Sequence, residues 1–210
     1  MNGPNAARVI RGVVALGGLL GLVVSFADAA STEGFRALNY FSYFTIESNV
    51  LAVVLMGGQA VWPRWMTRNE GLRGAVTLYM TVTLLVYAVL LRPAGVDVGE
   101  YRPWVDWIQH TAAPLALLVD WLVVPPARPV SARTAATWLA FPLAFLVWSL
   151  LRGPSADFYP YPFLDPRLEG GYGRVAITCL AILMVFVGLA ATLRWWSVRR
   201  PTGRMVESPG

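Results

Sequence analysis

Six long apolar runs, near residues 9–27, 40–62, 73–91, 104–124, 134–151 and 173–196, leave this chain few folds to choose from. Each holds about 18–24 residues, enough for an α-helix to cross roughly 30 Å of hydrocarbon. In hydrocarbon every backbone N–H and C=O must be satisfied within the protein, and runs this long and continuous do so as helices. The reading is all-α: a polytopic membrane helix bundle with six transmembrane helices, forming one domain over residues 1–197. A polar tail over 198–210 is expected to be disordered. Composition agrees, with 56% hydrophobic residues, 14% charged residues and a mean hydropathy of +0.53.

The first run needs a separate argument. Arg8 and Arg11 precede it and Ala27-Asp28-Ala29 follows it, which is also the grammar of a cleaved signal peptide. Five further runs follow, so a retained helix is the better expectation. Its small residues Ala15, Gly17, Gly18 and Gly21 suit close helix packing.

All 17 basic residues are Arg, and they fall unevenly between alternate connections. Arg8, Arg11, Arg64, Arg68, Arg73, Arg128, Arg133, Arg194, Arg199, Arg200 and Arg204 lie on one side. Arg36, Arg92, Arg102, Arg152, Arg167 and Arg174 lie on the other, among most of the acids. The positive-inside rule then puts both termini in the cytoplasm and the chain in the cell membrane as a multi-pass protein. A net charge of +5 does not argue for nucleic acid when the Arg separate apolar runs. The expected partners are membrane lipids. One His and one Cys, Cys179, provide no zinc cluster and no bis-His haem, so neither metal nor cofactor is expected.

Polar residues inside apolar runs are costly and point to a site. Phe41-Ser42-Tyr43-Phe44-Thr45-Ile46-Glu47-Ser48-Asn49 is the richest such stretch. On a helix, Ser42, Thr45 and Asn49 share one face with Ser48 at its edge, while Glu47 looks elsewhere. The fourth run carries Asp106, Gln109 and His110, the single histidine. Asp106 and His110 are four apart and can meet on one face. Pro114 should distort the helix at His110, and Asp120 lies about 15 Å deeper. Thr45 and His110 are each about 9 Å in from the same end of two co-directional spans, so they lie level if those spans are neighbours.

Two chemistries fit these residues. A neutral imidazole can take the proton of a threonine hydroxyl, with Asp106 holding the ring and Asn49, Ser48 or Gln109 donating to an oxyanion. Alternatively, Glu47, Asp106, His110 and Asp120 can relay protons in a small proton-coupled transporter. A non-enzymatic lipid-binding protein is the third reading, in which the stripe only joins helices. The outer stretch Phe158-Tyr159-Pro160-Tyr161-Pro162-Phe163-Leu164-Asp165-Pro166 is either an interfacial aromatic belt or a lid over a cavity opening outward.

The Phe41–Asn49 block, His110 with Pro114 and Asp120-Trp121, Tyr161-Pro162-Phe163-Leu164-Asp165 and Gly170-Gly171-Tyr172 occur in that order. Together, over roughly residues 8–197, they make the chain resemble the bacterial branch of the androgen-induced/FAR-type membrane protein family. The animal members are multi-pass threonine hydrolases that cleave fatty acid esters of hydroxy fatty acids. The resemblance implies Thr45 as nucleophile, His110 as base and a lipid ester as substrate. Asp106, Asn49 and Asp120 receive no role from it.

Overall fold

The computed structural model describes residues 3–62, 69–93, 95 and 102–199. Arg64, Arg68 and the tail beyond Arg199 therefore lie outside the described residues. The helices are α1 (Gly3–Ala30), α2 (Ala37–Tyr40), α3 (Phe44–Val61), α4 (Glu70–Val86), α5 (Pro103–Trp107), α6 (Ala113–Val123), α7 (Ala132–Thr137), α8 (Ala140–Ala156) and α9 (Gly171–Arg199). No strand occurs among the described residues.

Five helical stretches are long and apolar enough to cross a membrane: Asn5–Ala30, Phe44–Val61, Glu70–Leu91, Ala132–Ala156 and Gly171–Arg199. The fourth run of the sequence does not join them, because Asp106, Gln109, His110 and Asp120 dilute its apolar character. It is nonetheless one helical rod, α5 and α6 joined by a π turn over Ile108–Ala112. The rod lies antiparallel to α1 along its length. Arg102 pairs with Asp28 at one end (3.1 Å), Gly21 lies against Ile108 midway, and Arg11 pairs with Asp120 at the other end (2.8 Å).

Three local expectations change in the structure. Ser42 does not belong to the α3 face, because Tyr43 has extended backbone and the helix starts at Phe44. The fifth run is broken at Trp138-Leu139 into α7 and α8. The distortion expected from Pro114 takes the form of the π turn just before it. Proline removes an N–H and crowds the carbonyl a turn back, and a widened turn relieves both. A second π turn, Tyr87–Leu91, ends α4, with Arg92 N–H donating to Tyr87 O at 2.9 Å.

α4 is the central column, with every residue from Arg73 to Thr83 buried. Such a helix must be covered all round. Its threonines are accommodated because Thr81 and Thr83 donate to carbonyls one turn back, those of Thr77 and Tyr79. α1 and α3 pack closely through small residues: Gly18 faces Val53, and Gly57 faces Ala15. Gly17 faces no neighbour. α1, α8 and α9 leave most of their apolar side chains uncovered, among them Val13, Leu16, Leu151, Ile177 and Met184, as lipid-facing helices do.

Gly74 is the tightest point of the column. A Cβ there would come within 2.3 Å of Trp138 and 3.1 Å of Trp121, both almost wholly buried. Overpacking of this kind costs about 1–3 kcal/mol. Gly74→Ala should lower the unfolding midpoint in detergent by that amount, whereas Gly17→Ala, in open space, should leave it within about 0.5 kcal/mol of wild type.

Candidate functional site

Thr45 lies in the first turn of α3, where backbone N–H groups lack helical partners. Its N–H donates to the Tyr161 hydroxyl at 3.1 Å, and its own Oγ1 is 3.2 Å from that hydroxyl. Tyr161 therefore caps α3 from a distant connection. Within the stretch 158–166, Tyr161 and Leu164 are buried, and both line a cavity together with Phe163. Tyr161 is only 5% exposed, its ring stacks on Phe163 at 5.1 Å, and Tyr43 meets it edge-on at 5.6 Å. Arg174 from α9 holds the connection by donating to the carbonyls of Pro162 and Asp165, at 2.9 Å each. Arg167 braces it from outside, paired with Asp165 at 2.7 Å and with Asp157. Burial pushes the Tyr161 phenol up to about 12, so it keeps its proton and serves as a donor rather than a base.

Thr45 and Tyr161 line a cavity of about 90 Å³ between α3, α4, α8 and α9. Its remaining walls are mainly apolar, with Val82, Val86, Phe145, Leu146, Ile182 and Phe186 among them. On this measure one water needs about 10–15 Å³, so the space is large for water and chemically suited to hydrocarbon. Leu143, another wall residue, is exposed on the outside of α8, which puts the cavity next to the lipid-facing surface.

His110 lies in the π turn of the rod and is 2% exposed. Its Nδ1 is 2.9 Å from Asp106 Oδ1, one turn earlier. The other Asp106 oxygen accepts from the Tyr87 hydroxyl at 2.5 Å, and the Tyr87 ring stacks on the imidazole with centroids 4.2 Å apart. His110 Nε2 makes no hydrogen bond among the described residues.

The structure brings α3 and the rod, which run in the same direction, into contact. Asn49 Nδ2 donates both to Thr45 O at 2.9 Å and to Gln109 O at 3.1 Å, joining α3 to the π turn that bears His110. No hydrogen bond joins Thr45 to His110. The expected oxyanion donors are engaged elsewhere. Asn49 spends its amide on those carbonyls, and Ser48 donates to Phe44 O at 2.7 Å and faces Thr83. Gln109 turns its amide to Ser25 of α1 at 3.0 Å. Ser25 in turn bonds the Tyr40 hydroxyl at 2.6 Å. Ser42 is likewise removed from the site, donating to Leu38 O and accepting from Arg152. Glu47 is half-buried, and its Oε2 has no partner among the described residues.

Asp120 belongs to a different assembly at the opposite end of the bundle. Arg11 grips it with two bonds of 2.8 and 3.1 Å, and Arg73 reaches it at 3.0 Å. Arg73 also pairs with Glu70 at 3.3 Å, donates to the carbonyls of Asp120 and Val124, and lies over the Trp121 ring. The Asp120 of the expected relay is thus paired with Arg11 and Arg73 rather than with Asp106, His110 or Glu47.

Sequence reasoning did not single out Tyr87, and Arg11 and Arg73 counted only as topology markers. The ion pair had a signal: Asp120 near the inner end of its run requires a cation at the same depth, and both Arg start spans at that end. Tyr87 had none, being one aromatic in an apolar run. Comparison of the chain with protein-family models, curated proteins and solved structures finds no match.

Proposed function

We propose that this chain is a six-span protein of the cell membrane that hydrolyses a lipid ester, with Thr45 as nucleophile and His110 as general base. The rod Pro103–Val123 is the sixth span. Its polar residues face partners within the bundle, and at about 1.5 Å per residue it is long enough to cross. Arg11 near the start of α1 and Ser197 near the end of α9 lie at the same end as Asp120, Ser197 through its bond to the Val130 N–H at 3.1 Å. That end is cytoplasmic by its Arg content.

The observation that carries the catalytic reading is Thr45, bonded to Tyr161, lining an apolar cavity. The acyl chain occupies that cavity and its carbonyl lies over Oγ1. His110 Nε2 takes the threonine proton, directly or through one water, once Oγ1 turns from Tyr161. Asp106 holds Nδ1–H and stabilises the imidazolium. The Tyr161 hydroxyl donates to the oxyanion. The imidazolium then protonates the leaving alcohol, and water, deprotonated by the same ring, releases the acid from the Thr45 ester.

One observation favours a second reading. Both polar groups of Thr45 are already satisfied by Tyr161, which suits a lipid-binding protein whose polar stripe joins helices. A long-chain fluorophosphonate separates the two. Purified protein in nanodiscs should gain one phosphonyl group, mapped by mass spectrometry to the peptide holding Thr45. Saturating probe with no adduct on Thr45 would leave lipid binding and remove hydrolysis.

A further inference from the structure

The fourth span places a histidine and an aspartate one turn apart, but that spacing alone does not hold an imidazole still. A carboxylate can rotate, and a ring on a helix has several rotamers. The structure supplies a third group from another helix. Tyr87 stands in the π turn ending α4, opposite the π turn that carries His110. Its ring lies almost parallel to the imidazole, 16° apart, and its hydroxyl bonds Asp106. Tyr87 Oη donates to one Asp106 carboxylate oxygen, and His110 Nδ1 lies 2.9 Å from the other and 3.2 Å from the Asp106 backbone carbonyl. π turns are rare and occur frequently at functional sites, and here two of them face each other across one aromatic stack.

We propose that Tyr87 is the positioning residue for His110: its hydroxyl orients the Asp106 carboxylate, its ring backs the imidazole, and together they leave Nε2 as the free basic nitrogen. The hydroxyl and the ring do different work. With Asp106 Oδ2 occupied, Oδ1 stays directed at Nδ1, which keeps that nitrogen protonated. The face of the phenol lies against the imidazole and limits the rotamers that ring can adopt. This role rests on the hydrolytic reading for its purpose but not for its test.

His110 is the only histidine in the chain, so ¹⁵N-histidine labelling gives a single imidazole in the spectrum. Wild type in detergent at neutral pH should show the Nδ1–H tautomer. Tyr87→Phe, which keeps the stack, should admit the second tautomer, and Tyr87→Leu should do so further. Asp106→Asn, which can donate to Nδ1, should convert the ring largely to Nε2–H and shows that the signal reads the carboxylate. Fluorophosphonate labelling of Thr45 should slow about tenfold or more in Tyr87→Phe, with little change in the half-saturating probe concentration. Unfolding midpoints identify any variant that fails to fold, and Asp106→Asn serves if Tyr87→Leu does. A wild-type imidazole spectrum in folded Tyr87→Phe would overturn the inference. If the spectrum responds but wild-type Thr45 takes no label, hydrolysis falls and the positioning of His110 stands.

Discussion

Replacing Asp120 with alanine is expected to destabilise the protein by about 3 kcal/mol, at the lower edge of the range for breaking a buried ion pair. The Arg73 side chain is only 3% exposed, and without Asp120 it keeps Glu70 and two carbonyls but loses its closest carboxylate. Arg11 loses both of its carboxylate bonds at once. Glu70 and the carbonyls keep the cost from the top of the range. The cost comes from the charge left behind, so removing its source should restore much of it. Asp120→Ala combined with Arg73→Met should recover about half or more of the loss, because an apolar side chain of similar length needs no partner. Unfolding midpoints in detergent, taken for the two single variants and the double, measure this. A loss below about 1 kcal/mol for Asp120→Ala would place the assembly among surface ion pairs instead.

Thr45→Ala and His110→Ala are each expected to lower hydrolysis of a long-chain 4-nitrophenyl ester about a thousandfold or more. Neither residue substitutes for the other, so the double variant should be no worse than the poorer single. Thr45→Ser keeps the hydroxyl and should retain part of the activity. Tyr161→Phe should fall between, at about a hundredfold, since it removes one oxyanion donor and leaves the nucleophile and base. It also uncaps α3, at about 1 kcal/mol. Equal activity in wild type and Thr45→Ala, with both proteins folded, would dismiss Thr45 as nucleophile.

Several features of the site follow from local spacing. Asp106 and His110 meet because residues four apart on a helix share a face. Pro114 distorts its helix because its ring cannot fit beneath the carbonyl of His110. Other expectations failed for reasons that no periodicity shows. Asn49 and Gln109 carry free amides in the sequence, but each turns to another helix, Asn49 to the rod and Gln109 to α1. Ser42 fits the helical pattern of the Phe41–Asn49 block, yet α3 begins only at Phe44, where Tyr161 can accept the N–H of Thr45. The cap comes from more than a hundred residues away, beyond the reach of any local rule.

The chain alone determined that it would be helical and built largely from long apolar rods. Those outcomes depend on run length and on the cost of bare backbone and charge in hydrocarbon, which each segment carries by itself. Tertiary structure decided which polar side chains meet: Tyr87 on His110, Tyr161 under Thr45, and Arg11 and Arg73 on Asp120. A helix face can be read from one segment, but the group opposite it depends on how separate rods pack side by side. That packing is set by side-chain shape across the whole bundle rather than by any stretch of it.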